Sequence, residues 1–392
     1  MGAAKKVAVH AAAGAFNLLY RLFGLVGRRD EVLFVSRKAD RPSYDYEECG
    51  KAFARRGLTP VYLAQRLGAK TLLPYAWLAL REIYHLARCR VCVIDRYDPI
   101  VSLIDFECEP VPSDGCTALH NDFPTRPVVV QLWHAFGAFK KFGYQCLDIA
   151  EGHSSEEAAL FKIHRNCSWV VCSGEGARAA FAEAFACPVE RVVPLSRPTQ
   201  RRLRELASEH GARPASERPR VLFAPTIRKY DKAAHPVQDL IDHADELFAE
   251  APFDVEWALH PLEQGKEAAG GVPAHLLAAD YVVTDYSSIV YEAWLLGKRV
   301  AFFVPDAEHY RTSPGLNVDP TEVCPGLCAS DAEGLRALLD GWVRDPRSYP
   351  VEELAAFVDG AFDGSGDDPA EDLAAFVCAR LDEQAERRDD RC

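Results

Sequence analysis

Residues 128–145 read VVVQLWHAFGAFKKFGYQ, and this stretch decides how the chain folds. Val128 to Trp133 form a short apolar run, the pattern of a buried strand, and His134 falls where it ends. Gly137 and a basic turn at Lys140 and Lys141 follow. A side chain at the carboxyl end of a strand lies where open α/β sheets bind their ligands. An imidazole titrates near pH ~6.5, so a small environmental shift makes His134 a candidate general base, and two lysines close by suit an anionic substrate.

Outward from this stretch, strands and helices alternate. Strands are predicted near 32–36, 60–63, 91–95, 128–133, 168–173 and 191–195, with helices over 72–88 and 175–186. Further strands are predicted near 220–224, 254–259, 281–285 and 299–304, with helices after about 331 and a charged, solvated tail over 382–391. Such alternation predicts a parallel, doubly wound α/β sheet in each half. The polar run 208–220, with Gly211, Pro214 and Pro219, reads as the connection between two domains. The organisation expected is therefore an N-terminal segment 1–29, a first Rossmann-like domain 30–207, a linker 208–220, a second domain 221–345, and terminal helices with a tail over 346–392.

Three strand ends in the second half carry chemistry. In YVVTDYSSIVYEAWLL (281–296) a strand ends at Thr284-Asp285 and a helix follows, which Asp285, Ser287 or Ser288 can cap. Free N–H groups and serine hydroxyls at such a start suit a pyrophosphate. In RVLFAPTIRKY, Pro225 stops a strand and leaves Thr226 and Arg228 at its end; in WALHP, the strand stops at His260-Pro261.

Taken in order, the Trp-His strand end with Lys140 and Lys141, the APTIR segment, Leu259-His260-Pro261, TDYSS, DAEHY (306–310) and CPGL (324–327) resemble the CDP-glycerol:poly(glycerophosphate) glycerophosphotransferase family, the wall teichoic acid polyol-phosphate transferases. The similarity covers roughly residues 30 to 345. It implies the GT-B architecture, two doubly wound domains facing a cleft, with acceptor in the first half and nucleotide in the second. It also implies transfer of glycerol phosphate or ribitol phosphate from a CDP-polyol to a hydroxyl of a lipid-linked polyol-phosphate acceptor, with release of CMP. On that reading His134 is the base and His260 and Arg228 offset charge on the bridging and leaving oxygens. Thr226, Ser287 and Ser288 add donors, Asp285 holds the cap or a nucleotide hydroxyl, and Trp133, Lys140, Lys141 and Arg197 contact the acceptor. No cofactor and no catalytic metal are expected. Departures fall at Pro194-Leu195-Ser196-Arg197-Pro198-Thr199, where the family has Gly-x-Pro-Arg-x-Asp; at Pro314-Gly315 in place of Arg-Gly; and at Ala135-Phe136-Gly137 in place of Gly-Thr-Pro. The alternatives are a GT-B glycosyltransferase using a nucleotide sugar, or a non-catalytic peripheral membrane protein of the same fold.

Composition narrows these readings. A length of 392 residues favours two domains, and 48% apolar residues give each a substantial core. A formal charge of −13 argues against nucleic acid, which requires a basic surface. The thirteen cysteines, including Cys89 and Cys92 at a strand start, read as buried thiols in a reducing compartment. Residues 1–29 carry Lys5, Lys6, Arg21, Arg28 and Arg29 and no acid, with Phe16, Leu19, Phe23 and Val26 near one side of a helix. That helix either lies on an anionic membrane surface or docks on its own domain. The expected location is the cytoplasmic face of the cell membrane, held peripherally.

Overall fold

The computed structural model describes residues 2–66, 72–109, 123–150, 152–210, 218–226, 236–258, 267–268, 272–364 and 366–389. The valine-rich runs of the first half become β1 (Glu31–Ser36), β2 (Thr59–Ala64), β3 (Val91–Ile94), β4 (Val128–Gln131), β5 (Trp169–Cys172) and β6 (Val192–Pro194). They pair in the order β2-β1-β3-β4-β5-β6, every neighbour parallel. The second half supplies β7 (Arg220–Phe223), β8 (Asp254–Trp257), β9 (Tyr281–Thr284), β10 (Arg299–Phe303) and the two-residue β11 (Cys328–Ala329). Their order is β8-β7-β9-β10-β11, again all parallel.

Each sheet of this kind needs helices on both faces. In the first, Leu33, Val35, Cys92, Ile94 and Val129 point to one apolar cluster, and Val32, Phe34, Val91, Val93 and Val130 to the other. Helices α1 (Ala3–Gly24) and α3 (Leu72–Leu86) lie on the first of these faces. Helix α2 (Tyr44–Arg55), capped by Ser43 accepting from Tyr46 N–H at 3.3 Å, covers the other. It does so together with the last helix, α8 (Pro369–Asp389), whose Ala370, Leu373, Ala374 and Val377 are buried there. The chain thus returns to finish the core of its first sheet. The tail expected to be solvated is helical as far as Asp389, and residues 390–392 lie outside those described.

Between these lie α4 (Arg178–Phe185), α5 (Pro198–His210), α6 (Ile289–Leu295) and α7 (Ala332–Arg344). Helix α5 extends into the polar run at 208–220, of which 211–217 lie outside the described residues; its Leu203 and Leu206 are buried with the second core. The eleven described cysteines are free thiols, and Cys89 and Cys92 are fully buried in apolar surroundings.

Because α8 completes the first core, Leu373→Ala is expected to destabilise the protein by about 2–5 kcal/mol, the range for a leucine truncated in a packed interior. Chemical denaturation monitored by tryptophan fluorescence checks this; an unchanged midpoint would mean that α8 only rests on the surface.

Candidate active site

Sheet order brings the ends of β1, β3 and β4 side by side. Beyond Gln131 the chain makes one more ladder bond, Leu132 N–H to the Ile94 carbonyl at 2.8 Å, and then turns sharply. The turn is Trp133, left-handed at φ 54°, an unusual conformation for a bulky residue. An aromatic cluster holds it: Trp133 stacks on Phe142 at 4.9 Å between centroids and meets Phe185 edge-on at 5.3 Å. Trp133, expected to touch the acceptor, therefore serves at least as the pivot that aims the next residue.

That residue is His134. Its Nδ1 lies 3.4 Å from the Asp95 carbonyl, a long contact that favours the proton on Nδ1 and leaves Nε2 as the lone-pair nitrogen. The ring is open to the cleft, yet the surrounding protein desolvates its charged form. Burial first, then the like charges of Lys38, Arg96 and Arg197, lower its pKa to about 3. The near-neutral value expected for a base is not what this environment gives: the imidazole is neutral at physiological pH but weakly basic.

Other expected residues take more structural roles. Arg197 is buried, donates to Asp45 Oδ2 at 3.1 Å and stacks on Phe136 with its guanidinium 4.1 Å from the ring centroid. Asp45 also accepts from Thr199 N–H and hydroxyl at 2.7 Å, so the altered Pro-Arg turn is tied to α2. Lys140 and Lys141 form the seam between the halves. Lys140 pairs with Leu316 as an isolated bridge, with its Nζ 6.0 Å from the centroid of the Tyr310 ring, and Lys141 N–H donates to the Gly315 carbonyl at 3.0 Å.

On the opposite side, the end of β9 adjoins that of β7. Asp285, expected to hold the cap or a nucleotide hydroxyl, is buried, and its carboxylate accepts from Thr226 N–H at 2.9 Å and from Tyr286 N–H at 2.6 Å, so it joins two loops. Ser288 occupies the N-cap of α6 without a side-chain bond, while Ser287 Oγ accepts from Ile289 N–H at 3.4 Å. Arg228 and His260 lie outside the described residues.

Two charged residues that act on His134, Lys38 and Arg96, and a third on which Lys38 acts, Glu292, escaped sequence reasoning. Lys38 and Arg96 stand two residues beyond the ends of β1 and β3, a position that could have marked them. Glu292 stands four residues after Ser288, on the same side of α6. Its Oε2 is buried without a hydrogen-bond partner among the described residues. Burial raises its pKa, against the opposing pull of Arg197 and Lys38.

Comparison with known proteins identifies the family and the fold. The family model described as CDP-Glycerol:Poly(glycerophosphate) glycerophosphotransferase matches residues 28–363. A teichoic acid ribitol-phosphate primase of Bacillus spizizenii is 28% identical over 351 residues, covering 82% of this chain and 85% of that protein. A teichoic acid poly(ribitol-phosphate) polymerase of the same organism is 25% identical over 65% of this chain, which spans only 42% of the polymerase. The structure of the wall teichoic acid polymerase TagF superposes with a TM-score of 0.65 at 14% identity over 98% of this chain and all of that one, a likeness of fold. The two-domain GT-B arrangement is thereby established for this chain.

With a folded-state pKa of about 3 against ~6.5 unfolded, His134 binds a proton in the unfolded chain but not in the folded one between those values. Its contribution to stability therefore rises with pH across that window and is complete above about 6.5. NMR titration should find the His134 ring neutral down to about pH 4, and His134→Gln should flatten the acid side of the stability profile. A folded-state midpoint near 6.5 would contradict the desolvated site.

Proposed function

This chain belongs to the CDP-glycerol:poly(glycerophosphate) glycerophosphotransferase family, and we propose that it moves a polyol phosphate from a CDP-polyol to a hydroxyl of a lipid-linked polyol-phosphate acceptor. The observation that carries this reading is the apposition of the two sets of strand ends. Tyr291, three residues beyond Ser288, lies against Gly137, three residues beyond His134, so closely that a Cβ on Gly137 would stand 2.1 Å from Tyr291 Cζ. This contact supports a cleft bordered by both the histidine and the serine turn.

In the proposed reaction the acceptor oxygen attacks the phosphorus that bears the polyol. The bond from that phosphorus to the bridging oxygen breaks, CMP leaves, and a phosphodiester forms. The hydroxyl proton passes to Nε2 of His134. Ser287 and Ser288, with backbone N–H groups of their turn, take the donor's phosphates, and Arg228 and His260 would offset charge on the leaving group. Asp285 fixes the loop that carries them. Either CDP-glycerol or CDP-ribitol fits this scheme.

A peripheral membrane contact through α1 fits a lipid-linked acceptor. The inner face of α1 is docked on its own domain: Phe16, Leu19, Tyr20 and Phe23 pack on the first core, Asn17 Nδ2 donates to the Leu103 carbonyl at 3.1 Å, and Tyr20 meets Phe106 edge-on at 5.3 Å. Its outer face leaves Leu18 and Leu22 exposed, as are Leu25 and Val26 in the turn that follows, with Trp77 of α3 63% exposed. The basic ends contribute less than the sequence suggests, because Lys5 and Lys6 pair with Glu157 and Glu156 and Arg29 with Glu31. Apolar insertion therefore outweighs charge in this contact. No helix among the described residues is long and apolar enough to cross a membrane.

Incubation with CDP-glycerol, CDP-ribitol and UDP-sugars tests the reaction. CMP release dependent on a lipid-linked primer is expected, and release of UDP alone would assign the chain to sugar transfer. His134→Ala should lower turnover roughly 10²-fold or more with donor affinity nearly unchanged. Independently, replacing Leu22 and Leu25 with glutamate should abolish sedimentation with anionic vesicles while sparing activity on a short soluble acceptor. Undiminished sedimentation would place the membrane contact elsewhere.

A further inference from the structure

We propose that Lys38 and Arg96 form a phosphate-binding subsite beside His134, which holds the terminal phosphate ester of the acceptor and so brings that unit's free hydroxyl to the histidine. The identity of the acceptor rests on the transfer reaction proposed above; the subsite itself rests on the geometry of three strand ends.

Strands β1, β3 and β4 are neighbours in the sheet, so the residues that follow them emerge together. The turn after β1 is held from several sides. Ser36 Oγ donates to Asp95 Oδ2 at 2.7 Å and accepts from Lys38 N–H at 3.2 Å, and Arg66 Nε donates to the Lys38 carbonyl at 3.1 Å. Arg37 turns inward, bonded to the buried Glu82 and 3.3 Å from Asp98. Lys38, next in sequence, is exposed and has no ion pair among the described residues. Arg96 lies 3.7 Å from Asp95 Oδ1, too far for a hydrogen bond, and its buried Nε has no partner among the described residues. Arg197, the third cation near the histidine, is already paired with Asp45. Across the cleft the facing acid is Glu292, on which Lys38 and Arg197 act.

Lys38, which has no ion pair among the described residues, and Arg96, whose ion pair with Asp95 leaves its buried Nε without a hydrogen bond, both repel the charged form of the imidazole. An anion between them removes that repulsion, and a phosphate ester supplies oxygens for both a lysine and a guanidinium. In a polyol-phosphate end the phosphate sits at one end of a short carbon chain and the free hydroxyl at the other. A phosphate anchored by Lys38 and Arg96 therefore leaves the hydroxyl to reach His134. The same anion makes His134 a better base when the substrate is in place, which reconciles its weak basicity without an anion beside it with the proposed proton transfer.

The test uses the full chain with isotope-labelled histidine and sn-glycerol 3-phosphate as the probe. Saturable shifts of the His134 ring signals are expected, with a rise in its midpoint on binding. Lys38→Met and Arg96→Gln should each weaken the probe about tenfold or more, as loss of a charge-assisted bond does, and Lys38→Arg should restore most of the affinity. Calorimetric affinity for CDP-glycerol should not change, and in turnover the KM for acceptor should rise while that for donor stays. Absence of any His134 shift in the wild type, an unaltered probe affinity in well-folded Lys38→Met, or a loss confined to CDP-glycerol would each overturn the subsite. Failure of the wild type to release CMP from any CDP-polyol would instead overturn the transfer reaction, and the His134 shift would still decide whether the phosphate site exists.

Discussion

The burial of Phe136 and Phe139, which leave the first sheet and enter the core of the second half, is the constraint on which the site depends. Both are within five residues of His134. Burying two such rings is worth about 1.5–3 kcal/mol each, and backbone bonds reinforce them: Asn317 N–H donates to the Phe139 carbonyl at 3.0 Å, and Lys141 N–H to Gly315 at 3.0 Å. The ring of Phe139 meets Phe357 edge-on at 4.9 Å. Gly137, between the two phenylalanines, is required because Tyr291 fills the space a side chain would occupy. The position of the histidine relative to the opposite strand ends is thus set by a few residues of tightly packed chain, not by a flexible connection.

The strands were legible because their runs of β-branched and apolar residues are short, bounded and buried, and a parallel sheet buries them on both faces. The location of His134 was legible for the same reason. What surrounds it was not, since the neighbours of a strand end are decided by strand order, and the sequence alone does not state that β1 and β3 lie next to β4. Lys38 and Arg96 belong to the site through that order. So does a tie made by Asp285: with β7 beside β9, Thr226 N–H comes within 2.9 Å of its carboxylate, which joins two loops. Arg197 shows the converse, a motif residue correctly noticed whose partner, Asp45, sits far away in sequence on α2.

Electrostatics in this chain are local. A net charge of −13 coexists with a cleft in which Lys38, Arg96 and Arg197 surround one imidazole. Desolvation is the largest effect there as well as in the ion cluster behind it. Burial raises the pKa of Glu82 well above the usual carboxyl range, with Asp98 adding to the rise and Arg37 opposing it. Buried clusters of this type are weak sources of stability, because the cost of removing the charges from water offsets their attraction. Their usefulness here is directional: Arg37 can face only inward, which leaves Lys38 facing out.

Several connections among the described residues join the two halves, and together these limit how the cleft can open. Helix α5 runs from the first sheet into the second core, the segment from Val358 to Gly364 leads back, and the Phe136–Phe139 plug lies between them. The return path is bonded to the first half before α8 begins: Gly176 N–H donates to the Gly360 carbonyl at 2.9 Å, Glu175 N–H to Asp363 Oδ1 at 2.8 Å, and Gly364 N–H to the Ser173 carbonyl at 3.2 Å. A wide separation of the halves would break all of these contacts and expose both phenylalanines. Motion that preserves them must pivot near the plug, close to His134 itself, so any opening at the outer rim of the cleft leaves the histidine and the serine turn almost fixed with respect to each other.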